Sequence, residues 1–447
     1  MYRLNDDIVA LATLAGKSAL NIVRISGPSS LKIYKKLTGS SVKPAPNYTS
    51  LHSLYHPKKK NLIDQAMVVY YLGPKSFTGE DCLEITIHGG VIVVNQLLSA
   101  CLEIGVRKAL PGEFSYRAFI NNKIDLLQAE AISSIISCTN DLDSYYSLNT
   151  IKGNLSQSIQ KSFDIIKKTV TIGEHELDFN EGEIDFTKKS TYLMELKKSA
   201  NIIKKIVEQS YTIEEDKSTL KIVITGLPNV GKSSLFNVLI GKSKAIVTDI
   251  KGTTRDILEQ AVYIKDHLVL LVDTAGLRKA KDNIEKIGVE KSLEEIKKSD
   301  IVLIVDDKKP TIIYNKIKKQ LKNKPYLLIC NKADINTAFS NDNSILISCK
   351  KKTGFTNLLT SLSTLINNRV DAFSKQHSSL INRRQKILLE KIDFQLSRAV
   401  DDFDANKDLV VCLSLLYDVL DSFNTLIRPI NKDEILNDIF GGFCVGK

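Results

Sequence analysis

No uninterrupted apolar run in the 447 residues reaches the ~18 residues that a membrane-spanning helix needs. The opening stretch, MYRLNDDIVALATLAG, carries Asp6 and Asp7 where a secretory leader is basic and then apolar, so the cytoplasm is the expected compartment and no membrane partner is expected. The seven cysteines (Cys82, Cys101, Cys138, Cys330, Cys349, Cys412 and Cys444) form no CxxC pair and no Cys/His spacing suited to zinc. An odd, dispersed set argues for reduced thiols rather than a disulfide framework. No G-x-S-x-G nucleophile accompanies the HGG at 88–90, so a packed turn residue rather than a catalyst is expected at His88. The terminal FCVGK is not a prenylation box either, because Gly446 and Lys447 do not suit its last two positions.

The composition that remains, 43% apolar and 25% charged, is that of an ordinary globular chain. Its length is ample for about two to four domains. The net charge of +11 suits a polyanionic partner, although lysine is spread throughout, as in PKKK at 57–60 and CKKK at 349–352.

From about residue 216 the texture changes. TLKIVITG (219–226), HLVLLVDTAG (267–276), DIVLIVDD (300–307), KPYLLICNKAD (324–334) and NSILISCKK (343–351) read as buried strands. GVEKSLEEIKKS (288–299), NKIKKQLKN (315–323) and FTNLLTSLSTLINNR (355–369) have helical spacing. Such alternation predicts a doubly wound, mostly parallel sheet. The first strand runs into GLPNVGKSS (226–234), a P-loop pattern. Its run Asn229, Val230, Gly231, Lys232, Ser233 and Ser234 is expected to wrap phosphates. Lys232 supplies a point charge and Ser233 a hydroxyl for Mg²⁺. DTAG (Asp273, Thr274, Ala275, Gly276) is placed for the Mg²⁺ shell and the γ-phosphate. In NKAD, Asn331 and Lys332 precede Asp334, whose carboxylate accepts both ring N–H donors of guanine. SCK (Ser348, Cys349, Lys350) closes the base pocket. The four strings in this order predict GTP binding.

Leu277 stands where Ras-like enzymes keep the glutamine that orients water, so that role must fall elsewhere. The string DTAGLR…E.IG.E.S resembles switch II of the bacterial TrmE–Era–Septin group of P-loop GTPases, which implies Glu285 as the residue that orients water. Asn229 and TDIKGTTRD (248–256) resemble the potassium-activated GTPases. That likeness implies K⁺ held by Asn229, Thr248, Ile250 and Thr253, offsetting transition-state charge. Thr254 would join Ser233 as a Mg²⁺ ligand.

On either side stand IVRISGP (22–28), FTGEDCLEITIHGG (77–90) and ALPGEFSYRAFINNKIDLLQAEAI (109–132), and helical spacing recurs in AEAISSIISC and QKILLEKIDFQLSRAV. Together with the GTPase motifs these strings resemble the MnmE (TrmE) family of bacterial tRNA-modification GTPases along essentially the whole chain. The resemblance implies a multidomain α/β plus α fold. An N-terminal α+β folate-binding and dimerisation domain (1–120) precedes a helical bundle (121–215 and 371–447), interrupted by a Ras-like doubly wound G domain (216–370). It further implies a tetrahydrofolate derivative, 5,10-methylene-tetrahydrofolate, held by Arg24, Glu84, Lys123 and Lys447, with Cys444 beside its one-carbon unit as nucleophile or in proton or redox transfer. The implied partners are a second copy of the chain, the flavoprotein MnmG (GidA) that carries FAD in a heterotetramer, and tRNA. The implied reaction places an aminomethyl-type group on C5 of the wobble uridine. The rival expectation is an Era- or EngA-like ribosome-assembly switch, which lacks the N-terminal module and the FC.GK tail.

Overall fold

Alternation of apolar and polar residues builds the first sheet. Strands β1 (Ile8–Leu11), β2 (Leu20–Ser26), β3 (Thr49–Tyr55), β4 (Leu62–Tyr71), β5 (Cys82–His88) and β6 (Arg107–Lys108) line up in the order β3-β4-β5-β2-β1-β6. All neighbours are antiparallel except the β1–β6 pair. Val23 and Ile25, Ala66, Val68 and Tyr70, and Leu83, Ile85 and Ile87 fall on one face by the period of two. Helices Ser30–Thr38 and Val91–Ile104 cover that face with Ile33 and Leu37, and with Val94, Leu97 and Cys101. The computed structural model describes residues 2–138, 140–180, 183–212, 219–242, 258–265, 267–274, 293–335, 343–406, 408–429, 433–443 and 445–446.

The same compact unit, residues 1–136, 147–207 and 384–447, contains a layer of long helices. Asn154–Leu177 turns Leu155, Ile159, Ile166 and Val170 inward, and Lys189–Gln209 does the same with Tyr192, Leu196, Ile203 and Ile206. This is the three–four spacing of a buried stripe. A hydrogen bond between the hydroxyls of Ser162 and Ser199 (2.6 Å) joins the two helices inside the layer. Among the described residues one helix, Leu409–Ile427, is long and apolar enough to cross a membrane by length and composition. It carries Asp418 and Asp421, and it turns Leu413, Leu416, Val419 and Phe423 inward. Phe423 meets Phe163 edge to face, and Leu413 occupies space that a Cβ on Gly173 would fill at 2.7 Å. Both contacts make it a core helix of the bundle.

A second compact unit comprises residues 137–146 and 208–383. Strand β7 (Ser210–Thr212) leads toward a six-stranded sheet of β8 (Leu220–Gly226), β9 (Leu258–Ile264), β10 (His267–Asp273), β11 (Ile301–Asp306), β12 (Tyr326–Cys330) and β13 (Ile345–Leu346). Their order is β13-β12-β11-β8-β10-β9, parallel throughout except for the edge strand β9. Helices Lys232–Lys242 and Phe355–Gln376 pack on the face of Ile222, Ile224, Leu303 and Val305, while Pro310–Leu321 covers Val223, Val302 and Ile304. Apolar cover on both faces is what the near-continuous strand hydrophobicity requires, and the domain is doubly wound as expected. Beyond it, β14 (Ser379–Ile381) pairs in parallel with β7, beside a buried hydrogen bond from the Tyr211 hydroxyl to Asp143 (2.7 Å).

Candidate functional site

Strand β8 lies between β11 and β10, where the strand order reverses, so the loop at its C-terminal end opens into the crevice where open α/β sheets bind ligands. That loop needs its glycines. Gly226 has φ +155°, and a Cβ there would meet the Val305 carbonyl oxygen at 2.1 Å. Gly231 has φ +96°, and its Cβ would strike Asn331 Nδ2 at 2.2 Å. Asn229 adopts φ 63°, a left-handed conformation that asparagine tolerates better than most side chains. Val230 is buried in the sheet core and anchors the loop from beneath. Ser234 is exposed at the start of the helix, and Lys232 is buried with its Nζ donating to the Leu227 carbonyl (2.7 Å). Backbone N–H groups at this helix start and the lysine are the donors that could cradle a phosphate.

The Ser233 hydroxyl donates to Asp273 Oδ2 at 2.7 Å, and Asp273 is fully buried at the end of β10. A hydroxyl and a carboxylate, oxygen donors only, are a set that fits Mg²⁺. Next to it, Thr274 closes onto β8 through its hydroxyl and the Ile224 carbonyl (2.9 Å).

Asn331 braces the candidate base pocket against the P-loop. Asn331 donates from Nδ2 to the Val230 carbonyl (2.9 Å) and accepts at Oδ1 from the Cys349 amide (3.2 Å), so it ties the P-loop to the SCK loop. Ser348, fully buried, donates to Asp334 Oδ1 (2.6 Å), and this bond leads the causes that hold the Asp334 carboxyl below its ordinary value. Lys350 follows in the same loop. Burial pushes the Cys349 thiol up to about 11, so it is a neutral wall of the pocket. Lys332, at φ 63°, pairs with Asp307 at 2.9 Å, a partner that the motif pattern did not signal.

In the other compact unit, Arg24 on β2 and Glu84 on β5 are direct cross-strand neighbours, with Nε to Oε1 at 2.6 Å. The Tyr71 hydroxyl reaches Glu84 Oε2 (3.3 Å), and burial, then the Glu84 charge, raises that phenol. The guanidinium also meets the Gly446 carbonyl (3.4 Å), so the chain's C-terminal tail arrives at this pair. The tail is seated by Phe440 and Phe443, which pack with Phe119 and Leu126. Gly446 lies against β1, where a Cβ would stand 2.6 Å from the Leu11 carbonyl oxygen. A cavity of 530 Å³ opens beside it, lined by Leu11, Thr13, Leu14, Lys108 and Val445 among others. Lys123 instead donates to the Pro74 carbonyl (2.9 Å). The candidates Thr248, Ile250, Thr253, Thr254, Ala275, Gly276, Glu285, Cys444 and Lys447 lie outside the described residues.

Sequence reasoning also missed a buried network beneath this sheet. Arg117, fully buried, donates to Asp6 (2.7 Å), Glu80 (2.9 Å) and the equally buried Glu113 (3.2 Å). Its signal, Glu113 and Arg117 four residues apart on one short helix, is faint in a chain so rich in charged residues.

A P-loop, a buried aspartate bonded to its serine and an NKAD loop braced to it on a doubly wound sheet are the arrangement of a P-loop GTPase. Residues 7–123 match the family model described as GTP-binding protein TrmE N-terminus, and residues 221–332 that described as 50S ribosome-binding GTPase. The tRNA modification GTPase MnmE of Aquifex aeolicus is 34% identical over 454 residues, covering 99% of this chain and 100% of that protein. Those of Sulfurovum sp. (35% over 460 residues, 100% and 99% covered) and Thermotoga maritima (36% over 457 residues, 99% and 100% covered) agree. The chain belongs to the MnmE family of tRNA modification GTPases, and is a GTP hydrolase acting in tRNA modification.

Proposed function

We propose that this chain is a K⁺-activated GTPase that, with the flavoprotein MnmG, installs an aminomethyl-type group on C5 of the tRNA wobble uridine, drawing its one-carbon unit from 5,10-methylene-tetrahydrofolate. The observation that carries the reading is the meeting of Arg24, Glu84 and the Gly446 carbonyl, which joins the C-terminal tail to the N-terminal sheet in one compact unit. A guanidinium suits a glutamyl carboxylate and a carboxylate suits a pterin N–H edge, so the pair would exchange its mutual bond for the ligand. Lys123 and Lys447 add positive charge, and Cys444 supplies a thiol to the transfer. FAD enters only with the partner.

In the G domain, Ser233 and Thr254 would hold Mg²⁺, with Asp273 beside them. Lys232 and the loop amides hold the phosphates, and Asp334 selects guanine. Glu285 orients the attacking water in place of the missing glutamine. Asn229, Thr248, Ile250 and Thr253 would hold K⁺, which supplies positive charge where an arginine finger otherwise sits. Nucleotide state then sets the pairing of G domains in a homodimer, and linkage makes the partner protein alter GTPase behaviour in return. The limits at 120, 215 and 370 divide the chain into folate, helical and G modules, and the compartment is the cytoplasm. The match to a 50S ribosome-binding GTPase model is the one observation favouring an assembly switch, and it stops at residue 332 without touching the N-terminal module.

Exchange of KCl for NaCl tests the cation reading. GTP turnover should fall strongly in Na⁺ and recover in K⁺, and equal rates in the two salts would remove Asn229 from any cation role.

A further inference from the structure

The helix Lys189–Gln209 presents two unlike sides. Tyr192, Leu196, Ile203 and Ile206 are buried. On the opposite side, by the 3.6-residue period, stand Met194, Lys197, Lys198, Asn201, Lys204 and Lys205, all exposed. Between Glu195 and Glu208 this helix carries four lysines and no carboxylate. Lys197 lies 3.9 Å from Asp404 and Lys198 lies 3.6 Å from the half-buried Glu195, both long contacts of exposed lysines. Such pairs are worth little and exchange readily. Among the described residues Lys204 and Lys205 have no carboxylate within ion-pair distance. The eight-residue step from Lys197 to Lys205 spans ~12 Å along a straight helix, which sets four cations in a short, rigid row.

A neighbouring cleft of 730 Å³ shares Lys198 and is lined also by Lys161, Lys168 and Arg428. There Asp125, Asp164 and Glu195 offset most of the charge, so the outer side of Lys189–Gln209 carries more net positive charge than the cleft.

We infer that this face docks the phosphate backbone of tRNA, an inference that rests on the tRNA-modification reading. Charge complementarity favours a nucleic acid over an acidic protein. The row offers hydrated point charges without the arginine and aromatic anchors that dominate protein interfaces. Contacts of this kind position an RNA and carry no sequence information, so the face holds the tRNA body while the base is selected elsewhere.

The test replaces all four lysines in the full-length chain, Lys197→Gln, Lys198→Gln, Lys204→Gln and Lys205→Gln. Glutamine has nearly the helix propensity of lysine, so the helix is kept. A smaller variant, Lys204→Glu with Lys205→Glu, gives a second reading. Binding of fluorescently labelled, unmodified tRNA is followed by anisotropy across a salt series, with GTP turnover measured on the same samples. Turnover should be unchanged. The slope of log affinity against log salt should flatten by about 3, so that between about 50 and 200 mM salt the wild type loses roughly 60-fold more affinity than the variant. An unchanged slope and affinity would overturn the inference, as would retained tRNA binding with loss of capture by the flavoprotein, which would make the face a protein surface. Nucleoside analysis of complemented cells separates the two claims. Wild type and variant restoring the modification equally, with equal tRNA binding, sinks the face and leaves the function standing. A flattened slope where even wild type restores no modification sinks the function and leaves the face.

Discussion

Asn331→Ala cuts a side chain that spans the P-loop and the SCK loop. The substitution removes the bond to the Val230 carbonyl (2.9 Å) and the bond from the Cys349 amide (3.2 Å). Asn331 is 3% exposed, so water does not readily replace either partner. Each lost bond has a net value of about 1 kcal/mol, and stranding a buried N–H adds roughly 1–3 kcal/mol more. The sum, about 3–5 kcal/mol, falls on the geometry that binds nucleotide, which corresponds to a loss of about 150-fold to a few thousand-fold in GDP or GTP affinity. Titration with a fluorescent GDP analogue reads that loss directly. A thermal melt followed by a probe in the N-terminal sheet serves as control, because that sheet belongs to the other compact unit and should melt as wild type. A dissociation constant within threefold of wild type would refute the assignment of Asn331 as the brace.

Asp307→Ala frees Lys332 from its 2.9 Å partner, and because the pair is partly exposed the effect should be modest. A rise of about two- to fivefold in KM for GTP with kcat unchanged is expected, and a fall in kcat alone would contradict a positioning role. Glu285→Ala should keep GTP binding and lose most hydrolysis, which single-turnover assays can check; normal turnover would move the water-orienting role elsewhere. Arg117→Met removes the buried cation shared by Asp6, Glu80 and Glu113 and leaves Glu113 to Arg107 (2.6 Å), so it should lower stability in urea by about 3 kcal/mol, the low end for a broken buried pair, whereas a loss under about 1 kcal/mol would mean the network contributes nothing net. The hydrogen bond from Arg107, helped by Arg117, holds the Asp6 carboxyl below its ordinary value. Its contribution is therefore present above the unfolded value of about 4 and is lost as pH falls through the lower folded value. Unfolding free energies between about pH 5 and 2 should show this slope in wild type, and Asp6→Asn should flatten it.

The candidate nucleotide site was legible as a set of motifs because phosphate and guanine recognition depend on short strings whose glycines, lysine and carboxylates have few substitutes. Gly226 and Gly231 show why, since no other residue fits against Val305 and Asn331. Five of the six strands of the G sheet were visible as apolar runs. The sixth, β9, was not, because Glu259 and Gln260 interrupt its apolar pattern and it is an antiparallel edge rather than a buried strand. Pairings across distance were the least legible. Arg24 and Glu84 stand 60 residues apart yet share one register position, and Arg117 meets a carboxylate 111 residues away. Nothing in local spacing signals such contacts, and Asp307 likewise looks like a turn residue until β11 and β12 bring it beside Lys332.

The most direct test of the central claim is mass spectrometry of nucleosides from total tRNA of cells lacking this gene, complemented with wild type or with Cys444→Ser. The account predicts that C5-aminomethyl-type wobble uridines disappear on deletion, return with wild type and stay absent with Cys444→Ser. An unchanged nucleoside profile on deletion would contradict the modification reading and favour an assembly switch.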